Sequence, residues 1–543
     1  MRTLFSHQSR NGHPRPARRQ GASAARRIDA GSACRPAQRT RSARLDSLGF
    51  GPASRHSMRE QIMNVVKPAD SFEIPLTPRV YSKQFGEFIG IGPNGNLWVE
   101  DCDVAELAET FGTPLFIISE SQLRHTYRQF RDAFRRHYPD VEILFANKSN
   151  NGLAIRHIMN QEGAGGDCFG RNEMYLALLA GTDPRTLVLN GSNKQDDELE
   201  MAVQNGLCIN IDAMDEIDRI DAIARRLGKQ VDIGIRLKLD LEPLDDQPGV
   251  PMHGPGSMKA QSDSHKWGMT REQTVEIVKR AQSLPHFNLR ETHFHLSRMT
   301  NDPAPFALMA REMVTWSGFI RDHAGWIPPC IDIGGGWTFG KWYGTGPNSQ
   351  IDDDSAPTPE DYAKACAAAI KGEAERLDLP LPKLRLEPGR SISGPSGISV
   401  GRVGAIKRGD HKKWINLDIS TNHLSWAAIL DWYYHAVPVR DADAEPTETV
   451  DLVGSLCNSD EIGPHRKLPP LERGDLVAFL DTGGYTESCA ARYNAQLLPA
   501  SVLISGSTAE IITEREELRE MIGRFKVPPR LLAQSFGGAV AAE

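Results

Sequence analysis

Short apolar runs alternate with longer amphipathic segments between residues 104 and 390. Runs of about four to eight apolar residues are typical of buried strands, and apolar positions three and four apart are typical of helices. This alternation predicts a parallel sheet, and a count near eight suits a (β/α)8 barrel of the TIM type. The predicted strands are 115–118, 141–146, 187–189, 208–211, 231–237, 291–296, 330–333 and 384–386, and the predicted helices include 104–111, 122–137, 171–180, 196–204, 215–226, 271–283 and 305–323.

The pattern changes after about residue 390, where glycine and proline separate short strands. This pattern predicts a second, mainly β domain with strands at 397–406, 413–418, 450–454, 475–479 and 497–504. A segment rich in Pro, Gly and Asp at 241–264 predicts a mobile surface loop. We therefore expect an α/β protein with a disordered basic extension over 1–66, a barrel over 112–388, a β domain made of 67–111 and 389–520, and a C-terminal tail over 521–543.

The first 57 residues have a composition of their own: many Arg, no Lys, and only Asp29 and Asp46 as acids. Such a segment cannot bury enough apolar surface to offset the entropy of ordering, so it predicts disorder. Three interpretations stay open: an organelle transit peptide, an arm for nucleic acid, or a translated upstream stretch before a start at Met58 or Met63. The third is favoured.

Composition and charge narrow the class of protein. With 40% apolar and 24% charged residues, the chain is ordinary for a globular protein. Its formal net charge of −7 argues against a nucleic-acid binder, and no apolar run reaches about 18 residues, so no membrane-spanning helix is expected. The eight cysteines include no Cys-x-x-Cys pair, which disfavours a zinc site or a disulfide scaffold and favours a reducing compartment, the cytoplasm.

Candidate chemistry follows three of the predicted strands. Lys148 comes directly after 141–146, and a partly desolvated Lys at a barrel's carboxyl end can form a Schiff base. The glycines at 334–336 can bring backbone amides to a phosphate, and Arg390 in the segment 387–390 can clamp a phosphate or carboxylate. The alternatives are a solvated loop lysine, a flexible turn and a surface ion pair.

Two histidines and one cysteine are further candidates. His293 and His295 share one face of a predicted strand. A zinc pair is one interpretation, but no third ligand of obvious spacing stands nearby, so we predict no metal; a His stacked on a cofactor ring is the alternative. Cys457 can act as a proton donor, since a thiol in a cleft can titrate near neutral pH, or it can be a small buried apolar residue.

The order of these motifs along the chain is more informative than any single motif. From about residue 70 to 515 the sequence resembles the pyridoxal-phosphate-dependent decarboxylases with an alanine-racemase-type barrel, the group of diaminopimelate, ornithine and arginine decarboxylases. The matching residues are Lys148, Asp167, the segment 190–199, His295, the glycines 334–336, the segment 387–390, Cys457 and Tyr485, with support from 165–167, Glu173, 210–212 and 266–268.

The resemblance implies a pyridoxal 5′-phosphate coenzyme and an amino-acid substrate. Lys148 would form the Schiff base, with Asp167 beside it. His295 would stack on the coenzyme ring, and Glu387 would bond its pyridine nitrogen. Cys457 would donate a proton to the carbanion from a partner subunit, so a homodimer with shared active sites is expected. The phosphate would be held by Gly335, Gly336, Gly389, Arg390 and Tyr485, and Arg390 would also meet the substrate carboxylate.

The acid at position 387 bears on the reaction. A carboxylate beside the ring nitrogen favours its protonated form, and a pyridinium accepts the electron pair left when CO2 departs. Glu387 therefore favours decarboxylation over the second possibility, an amino-acid racemase or epimerase. A third possibility is a non-catalytic homologue that regulates a partner.

The chain departs from the family in the substrate region. Asn458 stands where the resemblance expects an acid, and Trp426 and Leu430 stand where the diaminopimelate enzymes have an Arg and a Tyr. We therefore predict that diaminopimelate is not the substrate and that Trp426 creates a more apolar or bulkier distal end. Ser297 stands where Gly is usual, with Arg298 after it. The predicted substrate-binding residues are Arg390, Trp426, Asn458 and Tyr485.

Overall fold

The computed structural model describes residues 87–239, 265–296, 302–338, 357–430 and 432–532. The predicted basic extension over 1–66 and the predicted loop over 241–264 lie outside the described residues, as do Ser297, Arg298 and the end of the tail after residue 532.

The first described elements form a small antiparallel sheet of strands β1 (Ile89–Ile91), β2 (Leu97–Val99) and β3 (Cys102–Asp103). Helix α1 (Val104–Phe111) follows at once, because the Asp103 side chain accepts a hydrogen bond from the backbone N–H of Ala105 and caps the helix N-terminus. The next strand, β4 (Leu115–Ser119), is wholly buried.

Eight parallel strands close into a barrel, which confirms the predicted fold class. The last strand pairs with the first, with Leu384 opposite Val141. The strands are mostly apolar because side chains on both faces are covered, inside by the barrel core and outside by helices. They are β5 (Val141–Ala146), β6 (Gly165–Phe169), β7 (Leu187–Asn190), β8 (Cys208–Ile211), β9 (Val231–Arg236), β10 (Phe287–His293), β11 (Cys330–Asp332) and β12 (Lys383–Leu386).

Amphipathic helices connect the strands. In the helix after β8, for example, Ile217, Ile220 and Ile223 recur three residues apart and are all buried. None of the described helices combines the length and the apolar character that a membrane crossing requires. The helices are α2 (Glu120–His137), α3 (Leu153–Gln161), α4 (Arg171–Leu179), α5 (Asp196–Asn205), α6 (Glu216–Leu227), α7 (Arg271–Ser283), α8 (Pro303–Ala324) and α9 (Pro359–Arg376).

One predicted barrel strand lies elsewhere. The run 115–118 is a strand, but β4 belongs to the sheet of the β domain, where it lies between an antiparallel and a parallel neighbour. Its place in the barrel is taken by β6, whose sequence Gly-Gly-Asp-Cys-Phe is too polar and glycine-rich to stand out as an apolar run. The barrel environment, rather than strand propensity, holds β6 between β5 and β7.

The second part of the chain is mainly β, as predicted. Its nine-stranded sheet combines β4 with strands from the C-terminal part of the chain. These are β13 (Gly397–Arg408), β14 (Lys413–Leu417), β15 (Ala436–Pro438), β16 (Glu448–Val453), β17 (Glu461–Leu468), β18 (Leu476–Phe479), β19 (Ala500–Ser505) and β20 (Thr508–Thr513), accompanied by the short helices α10 (Arg390–Ser393), α11 (Ser425–Leu430), α12 (Leu518–Ile522) and α13 (Pro529–Leu532).

Two parts of the hydrophobic core correspond to these two architectures. The larger cluster fills the space between the barrel strands and their helices and contains the stacked rings of Phe306 and Trp337. Two smaller clusters lie on the β sheet, one around β4 and one around Trp432 and Phe479. The active-site candidates lie where the barrel meets the β domain.

Candidate active site

A cavity of about 270 Å³ opens at the carboxyl ends of the barrel strands. Side chains from the barrel and from the β domain line it together, which is where TIM-type barrels carry their active sites. The predicted site residues that line it are Lys148, His295, Gly335, Gly336, Glu387, Gly389, Arg390, Trp426 and Tyr485.

Lys148 lies on a single turn after β5. Its Nζ forms an ion pair with the buried carboxylate of Asp167 on the neighbouring β6. The β domain fixes the same turn from the other side: the Tyr485 backbone N–H donates to the Ser149 carbonyl at 2.7 Å, and the Ser488 hydroxyl donates to the Lys148 carbonyl at 3.0 Å. The position of the amine thus depends on both parts of the chain.

The charges around Lys148 keep its amine protonated. Burial alone would lower the pKa of Lys148, but the negative charge of Asp167, with Tyr485 and Glu387, outweighs it and raises that pKa. The pKa of Asp167 is raised by burial first and by the charge of Glu387 second, while Lys148 opposes both. An amine in this setting can become a nucleophile once it loses its proton to a base or to the medium.

Glu387 follows β12 and is buried beneath the cavity. The Asn190 amide donates to its Oε1 at 2.7 Å, and the His293 ring nitrogen Nε2 lies 3.4 Å from its Oε2. Burial alone would raise the pKa of Glu387, but His293, Lys148 and His295 together hold it below its usual range. The carboxylate is therefore ionised and can stabilise a positive charge above it.

Asn190 connects the two acids of the site. Its amide nitrogen also donates to Asp167 at 2.8 Å, and its oxygen accepts a hydrogen bond from Asn210 at 2.9 Å. Four strands of the barrel fix this orientation: Asp167 lies on β6, Asn190 on β7 and Asn210 on β8, and Glu387 follows β12. The sequence pattern had marked the segment 190–199 only as part of a resemblance, without a role for the amide.

His293, Asp332 and Glu387 bring potential ligand atoms within 4.8 Å of one another, all buried. The sequence analysis found no third partner for the histidines because Asp332 and Glu387 are distant in the sequence. Burial, followed by the charges of Glu387 and Glu291, raises the pKa of Asp332 well above its usual range.

His295 presents a neutral ring at the cavity wall. The backbone N–H of Gly335 donates to its Nδ1 at 2.9 Å, and burial, followed by the charge of Lys148, lowers its pKa to about 3. Glycine is required beside this ring: Gly334 has a φ of +66°, and a Cβ on Gly335 would lie 2.3 Å from the Glu387 carbonyl oxygen.

Arg390 is surrounded by aromatic rings. The centroids of Trp426, Trp432 and Tyr485 lie 4.1, 4.5 and 4.6 Å from its guanidinium carbon. Each such cation–π contact stabilises the charged guanidinium by about 0.5–2 kcal/mol. We call these three rings the aromatic wall. Its tryptophans come from the β domain, Trp426 on helix α11 and Trp432 shortly after the end of that helix.

Three predicted site residues do not line this cavity in the single chain: Asp167, which is buried and paired with Lys148, and the neighbours Cys457 and Asn458. Cys457 and Asn458 lie on an exposed loop of the β domain after β16. The Cys457 Sγ lies 3.0 Å from the Tyr493 hydroxyl. The prediction that Cys457 acts from a partner subunit is compatible with its exposure and stays a prediction.

The cavity also contains residues that the sequence analysis did not single out. Phe169 lies 4.6 Å below the Lys148 amine as a cation–π partner, and Trp432 completes the aromatic wall. Clustered aromatics at 432–434, just after Trp426, were the available signal for the latter. The other such lining residues are Ala146, Arg236, His265, Leu296 and Trp337, and Trp267 lies in the segment 266–268 that supported the resemblance.

Comparison with protein families identifies the barrel. Residues 121–394 match the family model described as "Pyridoxal-dependent decarboxylase, pyridoxal binding domain". The chain is 30% identical over 445 residues to the diaminopimelate decarboxylase of Methanothermobacter thermautotrophicus, covering 82% of this chain and 99% of that protein. It is 32% identical over 440 residues to the enzyme of the same name from Archaeoglobus fulgidus, covering 81% and 99%.

Solved structures show the same architecture. The diaminopimelate decarboxylase of M. jannaschii in complex with L-lysine superposes with a TM-score of 0.74 at 27% identity, covering 82% of this chain and 99% of that one. The lysine/ornithine decarboxylase of Vibrio vulnificus superposes with a TM-score of 0.60 at 21% identity, covering 74% and 97%. The latter comparison concerns the fold alone.

Proposed function

The chain belongs to the pyridoxal-dependent decarboxylases, and from this premise we propose that it removes CO2 from an amino acid bound between Lys148 and the aromatic wall. It is a carboxy-lyase and uses pyridoxal 5′-phosphate. The single observation that carries the site assignment is the ion pair of Lys148 with Asp167, which Asn190 links to the ionised Glu387.

The cavity residues fit this coenzyme by their chemistry. Lys148 supplies the amine that an aldehyde requires, Glu387 supplies an anion for a ring nitrogen, and neutral His295 supplies a flat partner for the ring. Arg390 and the glycine backbone at 335, 336 and 389 offer the donors that a phosphate requires. A Cβ at Gly335 would lie 2.3 Å from the Glu387 carbonyl oxygen, so only glycine lets the backbone with these donors run this close to Glu387.

When bound, pyridoxal phosphate supplies a ring that accepts the electron pair left by a departing carboxylate. Glu387 would favour a proton on the ring nitrogen, because its own pKa lies below the usual range and it is therefore an anion. Asn190 and His293 hold the two oxygens of Glu387 in place, so the carboxylate cannot rotate away. Together these residues favour decarboxylation over racemisation.

We further propose that Cys457 is the proton donor and that it acts on the site of a second copy of the chain. Its exposure in the single chain supports this, because a donor that belonged to its own cavity would be buried there. The same proposal makes the protein a homodimer with two shared active sites. The role of Asn458, its neighbour, is then to face the substrate of the partner.

Two substrate classes compete. The names of the relatives favour diaminopimelate, so the sequence-based prediction against this substrate lacks their support. The aromatic wall favours an amino acid with an uncharged distal end, because Trp426 stacks on Arg390 where the resemblance expects a second Arg. Diaminopimelate is the first substrate to test, and an amino acid with an apolar distal end is the second.

The experiment is a CO2-release assay with the coenzyme-loaded protein. Meso-diaminopimelate, L-lysine, L-ornithine and D- and L-amino acids with apolar side chains are compared, first with the wild type and then with Trp426→Arg. Turnover of diaminopimelate would assign the activity of the named relatives. Turnover of an apolar amino acid that falls in Trp426→Arg would assign the second class.

The same assay tests the alternatives. Inverted stereochemistry without CO2 release would identify a racemase and contradict the proposal. A protein that takes up coenzyme but turns over no amino acid in the panel would favour the non-catalytic regulator. Lys148→Ala is the control, since it should lose both the absorbance band of bound coenzyme and all CO2 release.

A further inference from the structure

The exposed Cys457 has an unusually well-defined setting for a surface side chain. Its Sγ lies 3.0 Å from the hydroxyl of Tyr493, although both residues are exposed and Tyr493 retains 51% of its accessible surface. Exposed long side chains normally gain little from meeting one another, because ordering them costs rotamer entropy. The contact therefore needs a scaffold.

Two loops of the β domain supply that scaffold. We call residues 454–460 the cysteine loop and residues 492–496 the tyrosine loop. The Cys457 backbone N–H donates to Asn494 Oδ1 at 3.2 Å, and Gln496 Nε2 donates to the Ser455 hydroxyl at 2.9 Å. The two loops are thus joined by hydrogen bonds on both sides of the thiol.

Hydrogen bonds from Asn422 also fix the tyrosine loop. Asn422 donates to the Tyr493 carbonyl at 2.8 Å and to Gln496 at 2.9 Å. Asn494 and Ala495 adopt positive φ values of 56° and 57°, a conformation that non-glycine residues rarely take and that surrounding bonds have to maintain. A loop that holds Tyr493 against the Cys457 sulfur would explain why this strained backbone conformation is maintained.

We propose that Tyr493 is a positioning residue for Cys457, holding its Sγ at a fixed point and donating a hydrogen bond to the thiolate left after proton transfer. This inference rests on the proposed function of Cys457 as the proton donor. In the step, the S–H bond breaks, the proton joins the substrate carbon and the electron pair stays on sulfur. Tyr493 keeps its own proton, and water returns a proton to Cys457 for the next turnover.

The acid–base properties of the pair agree with this division. The bond from Tyr493, and then the one from Asn494, lower the pKa of Cys457 below its usual value. The same contact raises the pKa of Tyr493, so the hydroxyl remains a donor. A thiolate stabilised in this way forms more readily than a free one.

The test is the variant Tyr493→Phe, which removes only the hydroxyl. The rate at which iodoacetamide alkylates Cys457 is measured by mass spectrometry at fixed pH, with and without added pyridoxal phosphate. We expect a roughly three- to tenfold slower reaction, because the thiolate loses one hydrogen bond. Cys489 in the same chain serves as the reference thiol, and Tyr175→Phe, an equally exposed tyrosine on α4, is the matched control.

Steady-state kinetics provide the second readout. If Tyr493 acts through the thiol, kcat falls by a similar factor while KM for the substrate stays constant. Unchanged alkylation of Cys457 in Tyr493→Phe would overturn the proposal, whatever the activity does. If the wild type showed no decarboxylase activity, the proposed function would fail, yet a slower alkylation would still establish the contact between Tyr493 and Cys457.

Discussion

The proton on Lys148 must leave before its amine can capture an aldehyde. The ion pair with Asp167 makes that harder, because it raises the pKa of the amine. The same pair holds the amine in place at the carboxyl end of β5, on a turn fixed by Ser488. The ion pair thus lowers the reactivity of the Lys148 amine while it fixes the position of that amine.

The raised pKa of Lys148 predicts how coenzyme uptake depends on pH. Since the pKa of Lys148 is raised, the neutral amine is the minor form at neutral pH and its fraction grows with pH. The rate at which coenzyme-free protein takes up pyridoxal phosphate should therefore rise between about pH 6 and 9. In Asp167→Asn the profile should move to lower pH by roughly one to three units. Stopped-flow absorbance measures it, with the surface variant Asp183→Asn as control; an unmoved profile would contradict the assignment.

Glu387 allows a second test at the level of one atom. Glu387→Gln keeps the size and the hydrogen bond from Asn190 but removes the charge. We expect kcat to fall by about 100-fold, because charge stabilisation in a buried site is lost, while bound coenzyme per chain stays near that of the wild type. Turnover and the absorbance spectrum are measured on the same sample. A variant with wild-type kcat would remove the role given to the carboxylate.

At the scale of elements, strands β10 and β12 carry a buried ion pair inside the barrel. Arg385 Nη1 donates to Glu291 at 2.5 Å and its Nε donates to Glu142 at 2.8 Å. Burial would lower the pKa of Arg385, but Glu291 and its neighbours raise it, so the guanidinium is charged. A buried charge without its partner is strongly destabilising, so the stability of the barrel depends on the presence of both Arg385 and Glu291.

Removing one partner should therefore cost more than removing both. Arg385→Met should lower the free energy of unfolding by about 3–5 kcal/mol, because Glu291 is left charged and buried. The double variant Arg385→Met with Glu291→Met should regain part of that loss. Thermal melting measures both, with Arg185→Met on the surface as control. Equal melting temperatures for the wild type and the single variant would show that Glu291 does not need its partner.

The elements also show what a sequence can reveal. Helices α1 and α7 have the bounds that the apolar spacing predicts, since each is amphipathic and capped by a side chain at its start. The spacing could not reveal that β4 leaves the barrel, because an apolar strand looks the same in either sheet. It missed β6 because a strand of small and polar residues has no periodic signal.

The candidate site, like the elements, was predictable from the sequence only in part. Lys148, His295, Glu387 and Arg390 were predicted to share one site, and they line one cavity, because parallel strands end at the same side of a barrel. The links between them were not predictable: the bridge of Asn190 and the approach of Asp332 depend on neighbours 20 to 200 residues apart in sequence. The predicted domain boundaries and the partner role of Cys457 stay predictions.

For the whole molecule, the decisive test concerns sharing between subunits. Lys148→Ala and Cys457→Ala should each be inactive alone. If the sites are shared, a mixture of equal amounts that has exchanged subunits should regain about a quarter of wild-type activity, because half of the dimers then hold one intact site of two. The mixture is assayed for CO2 release and sized by light scattering. A mixture as inactive as its parents would place Cys457 and Lys148 in the same chain's site.

Strand β4 lies between β13 and β19, so residues near 117 pair with residues near 398 and near 502. A chain leaving the ribosome cannot complete this sheet until β19 has been synthesised, long after the barrel strands have emerged. The loop between β18 and β19 bonds to the Lys148 turn through Tyr485 and Ser488, so a chain that ended before this loop would lack the bonds that fix Lys148.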